Sequence, residues 1–264
     1  MNRFEGKVVI ITGAGTGIGA GTARRFLHEG AFVTLNGRRE HKLQETIKGL
    51  GAAKSLAKSL VHPGDVSDEE YVKRLVEDTV AKFGKLDVLV NNAGMAIFGP
   101  FAKTTTQDWR KVMATDLDGV YFACREALPH LLKTKGTIIN LSSVSGLGGD
   151  WGMSSYNAAK GAITNFTRSL ALEYGSRGVR INAVAPSFTS SEATAFLEKN
   201  EAAKAAFFDR LPIGRAATPD DIAGVIAFLA SADALFVNGA ILPVDGGVHA
   251  SNGQPNFLSL LGQG

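Results

Sequence analysis

Val8, Val9, Ile10 and Ile11 form a run that is apolar on both faces, as a strand covered on both sides of a sheet reads, and it ends directly in a glycine-rich turn. A helical pattern through Ala20, Ala23, Phe26 and Leu27 follows. The same pairing recurs along the chain: strands are predicted over 31–36, 59–62, 86–90, 137–141, 179–184 and 240–244. Helical patterns lie between them at 43–50, 71–83, 107–132, 155–174 and 219–230. Such alternation demands an α/β fold, a mostly parallel sheet with helices on both faces and therefore three layers. Pro63 follows the weak third strand and cannot donate to a ladder, so that strand belongs at an edge, its place in a doubly wound 3-2-1-4-5-6 order. No repeat and no Pro-, Gly- or Ser-rich linker divides the 264 residues, which predicts one domain over 1–264.

Charge and cysteine usage narrow the function classes. Lys plus Arg (28) nearly balance Asp plus Glu (25), with no block of five like charges, so nucleic acid is not an expected partner. Residues 1–7 are charged where a signal peptide needs an apolar core, and no run approaches the roughly 18 apolar residues of a membrane span. The expectation is a cytoplasmic protein with no membrane partner. Cys124 lies among Val120, Tyr121, Phe122 and Ala127, the setting of a buried small residue rather than a nucleophile. The five histidines are scattered, and no metal is expected.

Three groups of residues could carry chemistry. Gly13, Gly15, Gly17, Gly19 and Gly21 crowd the first strand-to-helix turn, where backbone can approach a phosphate and a helix N-terminus offers free N–H groups. No Gly-Lys-Ser/Thr follows, against a P-loop. The second strand ends in Asn36-Gly37-Arg38-Arg39, where an acid would bind a ribose 2′-hydroxyl and an arginine a 2′-phosphate; the arginines favour NADP(H), and NAD(H) also fits if they are merely solvated. Ser143 follows a strand, and Tyr156 and Lys160 stand four apart on one helix face. An ammonium near a phenol favours phenolate and equips it to exchange a proton with a substrate oxygen.

Taken together, Thr12-Gly13-Ala14-Gly15-Thr16-Gly17-Ile18-Gly19, Asn91-Asn92-Ala93-Gly94, Ser143, and Tyr156-Asn157-Ala158-Ala159-Lys160 resemble, in order and spacing, the short-chain dehydrogenase/reductase family; Asp65-Val66, Pro186 and Asp245-Gly246-Gly247 extend the resemblance over essentially the whole chain. The resemblance implies a Rossmann-like single domain, an oligomer (a tetramer above all), and NAD(P)-dependent interconversion of a small carbonyl compound and an alcohol. It implies that the turn from Gly13 through Gly15, Thr16, Gly17 and Ile18 to Gly19 lines the pyrophosphate and that Asp65 and Val66 border the adenine. Asn91 would border the cofactor ribose, with Asn92, Ala93 and Gly94 beside it, and Pro186 and Thr189 would lie at the nicotinamide carboxamide. Tyr156 would then be the acid/base, Lys160 would hold the nicotinamide ribose, and Ser143 would hydrogen-bond the carbonyl oxygen.

Two positions depart from the family pattern. Asp116 stands where the family usually has a catalytic-site Asn, and an ionised carboxylate offers no N–H donor. Ser187 replaces the Gly that commonly follows Pro186. The stretch 144–155, the Asp116-Leu117-Asp118-Gly119 variation and the tail at 251–255 resemble a subgroup acting on meso-2,3-butanediol, acetoin or diacetyl. That subgroup commonly uses NAD(H), at odds with Arg38. A 3-oxoacyl thioester reductase, a sugar or polyol dehydrogenase, and a non-catalytic nucleotide sensor are the alternatives. Residues 187–218 are expected to form a substrate flap, with Glu192, Lys199 and Arg210 on its solvated face. Phe257, Leu258, Leu260 and Leu261, in the tail at 249–264, are expected to cover the cleft or a neighbouring subunit.

Overall fold

The computed structural model describes residues 2–48 and 57–262. Seven strands, β1 (Val8–Ile11), β2 (Phe32–Gly37), β3 (Ser59–Pro63), β4 (Val88–Asn91), β5 (Thr137–Leu141), β6 (Arg180–Pro186) and β7 (Ile241–Val244), form one sheet in the order β3-β2-β1-β4-β5-β6-β7. All six pairings are parallel. Pro63 closes β3 at the sheet edge, where its missing N–H costs no ladder bond. The helical pattern read as far as Leu50 is present as α2 (Glu40–Lys48); residues 49 and 50 lie outside the described residues.

Strand alternation sorts the core into two layers. Val9 and Ile11 of β1 pack on one face with Phe26 of α1 (Gly17–His28), Leu43 and Ile47 of α2, and Ile222 and Ile226 of a later helix (Pro219–Ala230). Val8 and Ile10 pack on the other with Leu75 of α3 (Glu69–Phe83), with Leu131, and with Ile163. Each of these fully buried aliphatic side chains contributes about 1.5–3 kcal/mol relative to an exposed one.

The stretch predicted as a single helix over 107–132 is interrupted. It comprises α4 (Thr106–Met113), a π-helical turn (Ala114–Asp118) and α5 (Gly119–Thr134). The extra residue per turn shifts the helix face and carries Asp116 into the crevice at the C-terminal strand ends, a device often found at functional sites. Further helices are α6 (Ser154–Tyr174), α7 (Ala195–Glu198), α8 (Glu201–Asp209), α9 (Pro219–Ala230) and α10 (Phe257–Leu260). No helix among the described residues is long and apolar enough to cross a membrane.

Candidate active site

The turn after β1 is shaped by close backbone approach. Gly13 has φ +66°, and a Cβ there would lie 2.8 Å from Asn92 Nδ2; a Cβ on Gly19 would meet the Gly13 carbonyl oxygen at 2.2 Å. Asn92 Nδ2 donates to the carbonyls of Thr12 (2.9 Å) and Gly13 (3.1 Å), and Thr12 Oγ1 accepts from the amides of Asn92 and Ala93, both at 3.0 Å. These bonds tie the β4 loop to the glycine turn. Thr16 precedes α1 in extended conformation, its side chain caps no N–H, and the first turn of α1 holds no acid. By contrast, α3, α4, α8 and α9 carry capping side chains. The amides at this terminus are thus left to an anion, and the cradle of glycines fits a dinucleotide pyrophosphate.

At the end of β2, Arg38 Nη1 stands 4.0 Å from Asp65 Oδ2, so the residues expected at the cofactor phosphate and at the adenine adjoin one another. Val66 is buried against Gly119. Glu192 is exposed, as expected of the segment's solvated face, and there it bridges Arg39 Nη2 and Lys42 Nζ, each at 2.9 Å. Nothing in the local sequence signals this pairing, because the partners are about 150 positions apart.

Asn91 does not face the crevice as the resemblance implied. Its side chain is buried in the helix layer, donating to Asn140 Oδ1 at 2.9 Å and to Cys124 Sγ at 3.3 Å. Strand alternation explains this: Asn91 is the last residue of β4, whereas Asn92 has already left the strand. Cys124 is fully enclosed, and burial pushes its thiol up to about 12, the inert residue expected.

Ser143, Tyr156 and Lys160 lie around the end of β5. Lys160, on α6, donates to the Leu141 carbonyl at 2.9 Å, and its ammonium lies 5.4 Å from the Tyr156 ring centroid. Asp116 Oδ2 is 3.3 Å from Lys160 Nζ, while Asp116 Oδ1 accepts the Met95 N–H at 2.8 Å. Burial pushes the Asp116 carboxyl above the usual range, although the Lys160 ammonium and the Met95 amide pull the other way. For Lys160, burial opposes the charge, but the Asp116 carboxylate and Tyr156 outweigh it and hold the ammonium above its ordinary value. A Cβ on Gly94 would lie 2.8 Å from Asp116 Oδ2 and 3.3 Å from Lys160 Nζ, so the pair packs directly under the β4 loop.

Ser143 Oγ donates to Ser145 Oγ at 3.1 Å, and Ser145 Oγ donates to the carboxylate of Asp150. The sequence did not mark Ser145, Asp150, the Leu141 carbonyl or the Met95 amide as part of the site. Two of these act through backbone atoms, which no residue type reveals.

Residues 187–218 form a segment with two short helices. Thr189 is buried, pairs in parallel with Ala217 and donates to the Ser187 carbonyl at 3.2 Å, close after Pro186. Ser187 Oγ donates to the Asp245 carbonyl at 2.8 Å, so the departure from Gly here gains a tie to the β7 loop. Phe196 meets Phe98 edge-on and Phe207 lies tilted against Phe188, at 5.7 and 5.0 Å between centroids. The tail residues Phe257, Leu258, Leu260 and Leu261 are exposed.

Residues 13–249 match the family model described as enoyl-(acyl carrier protein) reductase. The chain is 48% identical over 256 residues to a meso-2,3-butanediol dehydrogenase of Serratia marcescens, covering 97% of this chain and 100% of that protein. It is 42% identical over 250 residues to a glucose 1-dehydrogenase of Gluconobacter oxydans, covering 94% and 93%. Among solved structures, levodione reductase superposes with a TM-score of 0.89 at 34% identity, covering 94% of this chain and 99% of that one.

Proposed function

Because the chain belongs to the short-chain dehydrogenase/reductase family, an oxidoreductase family using NAD(P)(H) on alcohols and ketones, we propose that it interconverts a vicinal hydroxyketone or diketone with its alcohol, with Tyr156 as the acid/base and NADP(H) preferred over NAD(H). The observation that carries the mechanism is the gathering of Ser143, Tyr156 and Lys160 at the end of β5, with the Lys160 ammonium against the Tyr156 ring. The substrate class rests on the 48% identity to a meso-2,3-butanediol dehydrogenase.

When bound, a nicotinamide supplies or accepts the hydride. The residues supply the rest. In reduction the Tyr156 hydroxyl donates its proton to the substrate oxygen as negative charge develops there; in oxidation it accepts that proton. The buried Lys160 ammonium, fixed by the Leu141 carbonyl and Asp116, places positive charge beside the Tyr156 ring. Ser143 offers a second hydrogen bond to the substrate oxygen when its hydroxyl rotates away from Ser145. Gly13 to Gly19 cradle the pyrophosphate, Arg38 reads the 2′-phosphate, Asp65 and Val66 flank the adenine, and Asn92, Ala93, Gly94, Pro186 and Thr189 border the nicotinamide side.

The protein works as a homo-oligomer, a tetramer in this reading. Leu172, Leu235 and Phe236 are 86%, 72% and 105% exposed, an apolar surface that a monomer would leave in water.

The test is turnover of diacetyl or acetoin with NADPH and NADH, followed by nicotinamide absorbance, for the wild type and Tyr156→Phe. Oxidation of NADPH that falls about 10²–10⁴-fold in the variant is expected. Unchanged turnover in Tyr156→Phe would overturn the mechanism, and inertness toward both carbonyls with intact cofactor binding would overturn the substrate class alone.

A further inference from the structure

Three cations gather at the end of β2 and the start of α2, and their partners differ. Arg38 leans toward Asp65, whereas Arg39 and Lys42 converge on the two oxygens of one carboxylate, Glu192, which comes from the segment after β6. Lys42 also pairs with Glu45 at 3.1 Å. Asp65, Glu45 and Glu192 thus each face at least one of these three cations.

Glu192 is held there by its surroundings. Ser191 packs against the phosphate turn, since a Cβ on Gly17 would lie 3.2 Å from Ser191 Cβ. The backbone on either side is pinned: the Ser190 N–H donates to the Ala217 carbonyl at 2.8 Å, the Ser191 N–H to Thr194 Oγ1 at 3.0 Å, and Thr194 Oγ1 to the Thr189 carbonyl at 2.7 Å. A carboxylate bridging two cations next to a pyrophosphate cradle occupies the kind of contact a ribose phosphate would make.

We propose that Glu192 is a cofactor-specificity determinant, a carboxylate that competes with the 2′-phosphate of NADP(H) for Arg39 and Lys42 while leaving a dinucleotide with a free 2′-hydroxyl unopposed. This rests on the dinucleotide reading of the site and refines it. Arg38 favours the phosphorylated cofactor, and Glu192 offsets that preference by repelling the phosphate and by holding the two cations it would otherwise recruit. The strength of the NADP(H) preference is thereby tempered by a residue outside the strand end that carries Arg38.

The experiment is equilibrium titration of NADPH and of NADH, without substrate, into the wild type, Glu192→Gln and Glu45→Gln, read by nicotinamide fluorescence. Exposed ion pairs are individually weak, so Glu192→Gln should tighten NADPH by about three- to tenfold and change NADH by less than about twofold. Glu45→Gln removes the same charge from Lys42 without freeing Arg39 and should tighten NADPH less. Equal changes for the two nucleotides, no change, or an equal gain in Glu45→Gln would each overturn the proposal. A wild type that binds neither nucleotide would overturn the cofactor reading and this inference with it. NADH binding with no response of NADPH to Glu192→Gln would overturn this inference alone.

Discussion

The carboxylate of Asp116 stands 3.3 Å from the ammonium of Lys160, and neither side chain is more than 4% exposed. The position where the family usually carries an amide here carries the direct counter-ion of the active-site lysine. Breaking a buried pair by removing one partner typically costs about 3–5 kcal/mol, because the other charge is left uncompensated. Asp116→Leu should therefore lose about that much in denaturant unfolding. Asp116→Asn, which can still accept the Met95 N–H, should lose less. Without the carboxylate, only Tyr156 still opposes the effect of burial on Lys160, so its ammonium is held less firmly and the alkaline decline of kcat should begin at lower pH in Asp116→Asn than in the wild type. Superimposable pH profiles would show that the pair does not govern the lysine.

Two glycines separate cofactor binding from chemistry. A Cβ on Gly19 would stand 2.2 Å from the Gly13 carbonyl oxygen, which only a shift of the turn can relieve. Gly19→Ala should weaken NAD(P)H binding by at least about tenfold, from a strain of about 1–3 kcal/mol. A Cβ on Gly94 instead meets the Asp116–Lys160 pair. Gly94→Ala should lower kcat by about 10- to 100-fold, the effect of a small misplacement of a catalytic group. Titration of the cofactor and steady-state kinetics on both variants check the contrast.

Most of the sheet was legible because β1, β4 and β5 are short runs rich in apolar and β-branched residues, and its edge was marked by Pro63. The glycine turn, Ser143, Tyr156 and Lys160 were legible because side-chain type and spacing carry their chemistry. What escaped depends on geometry that spacing does not encode. The π turn at Ala114–Asp118 leaves the apolar periodicity of its neighbours intact, so residues 107–132 read as one helix. Asn91 was misplaced because the strand ends at that residue, and a single position decides between crevice and core. Glu192 is the surface acid it read as, but its pairing with Arg39 and Lys42 was not legible because those partners are distant in sequence.

The apolar surface near the end of α6 gives a test of assembly. Asn238 Nδ2 donates to the Ala171 carbonyl at 2.9 Å, which brings the loop carrying Leu235 and Phe236 beside the helix end that exposes Leu172. Phe236→Glu would place a charge on that surface, and a charge in an apolar contact must be desolvated without a partner. A lower-order species should appear in sedimentation velocity at micromolar concentration, with the unfolding midpoint falling as protein is diluted. An unchanged sedimentation coefficient would remove this patch from the interface.

Tyr71 gives an alkaline signature remote from the active site. Its hydroxyl donates to the His62 carbonyl at 2.8 Å and accepts from Asn36 Nδ2 at 2.9 Å, and burial pushes the phenol up to about 12, with the Asn36 bond opposing. A phenol raised above its unfolded value of about 10 contributes stability that is complete below pH 10 and is lost as the pH climbs toward 12. About 2 kcal/mol should disappear across that window in the wild type. Tyr71→Phe removes the titrating group, so although less stable at neutral pH it should decline less steeply from pH 10 to 12. Denaturant unfolding of both proteins at pH 9 and pH 11.5 measures the difference, and parallel losses would show that Tyr71 ionises in the folded protein no differently from in the unfolded chain.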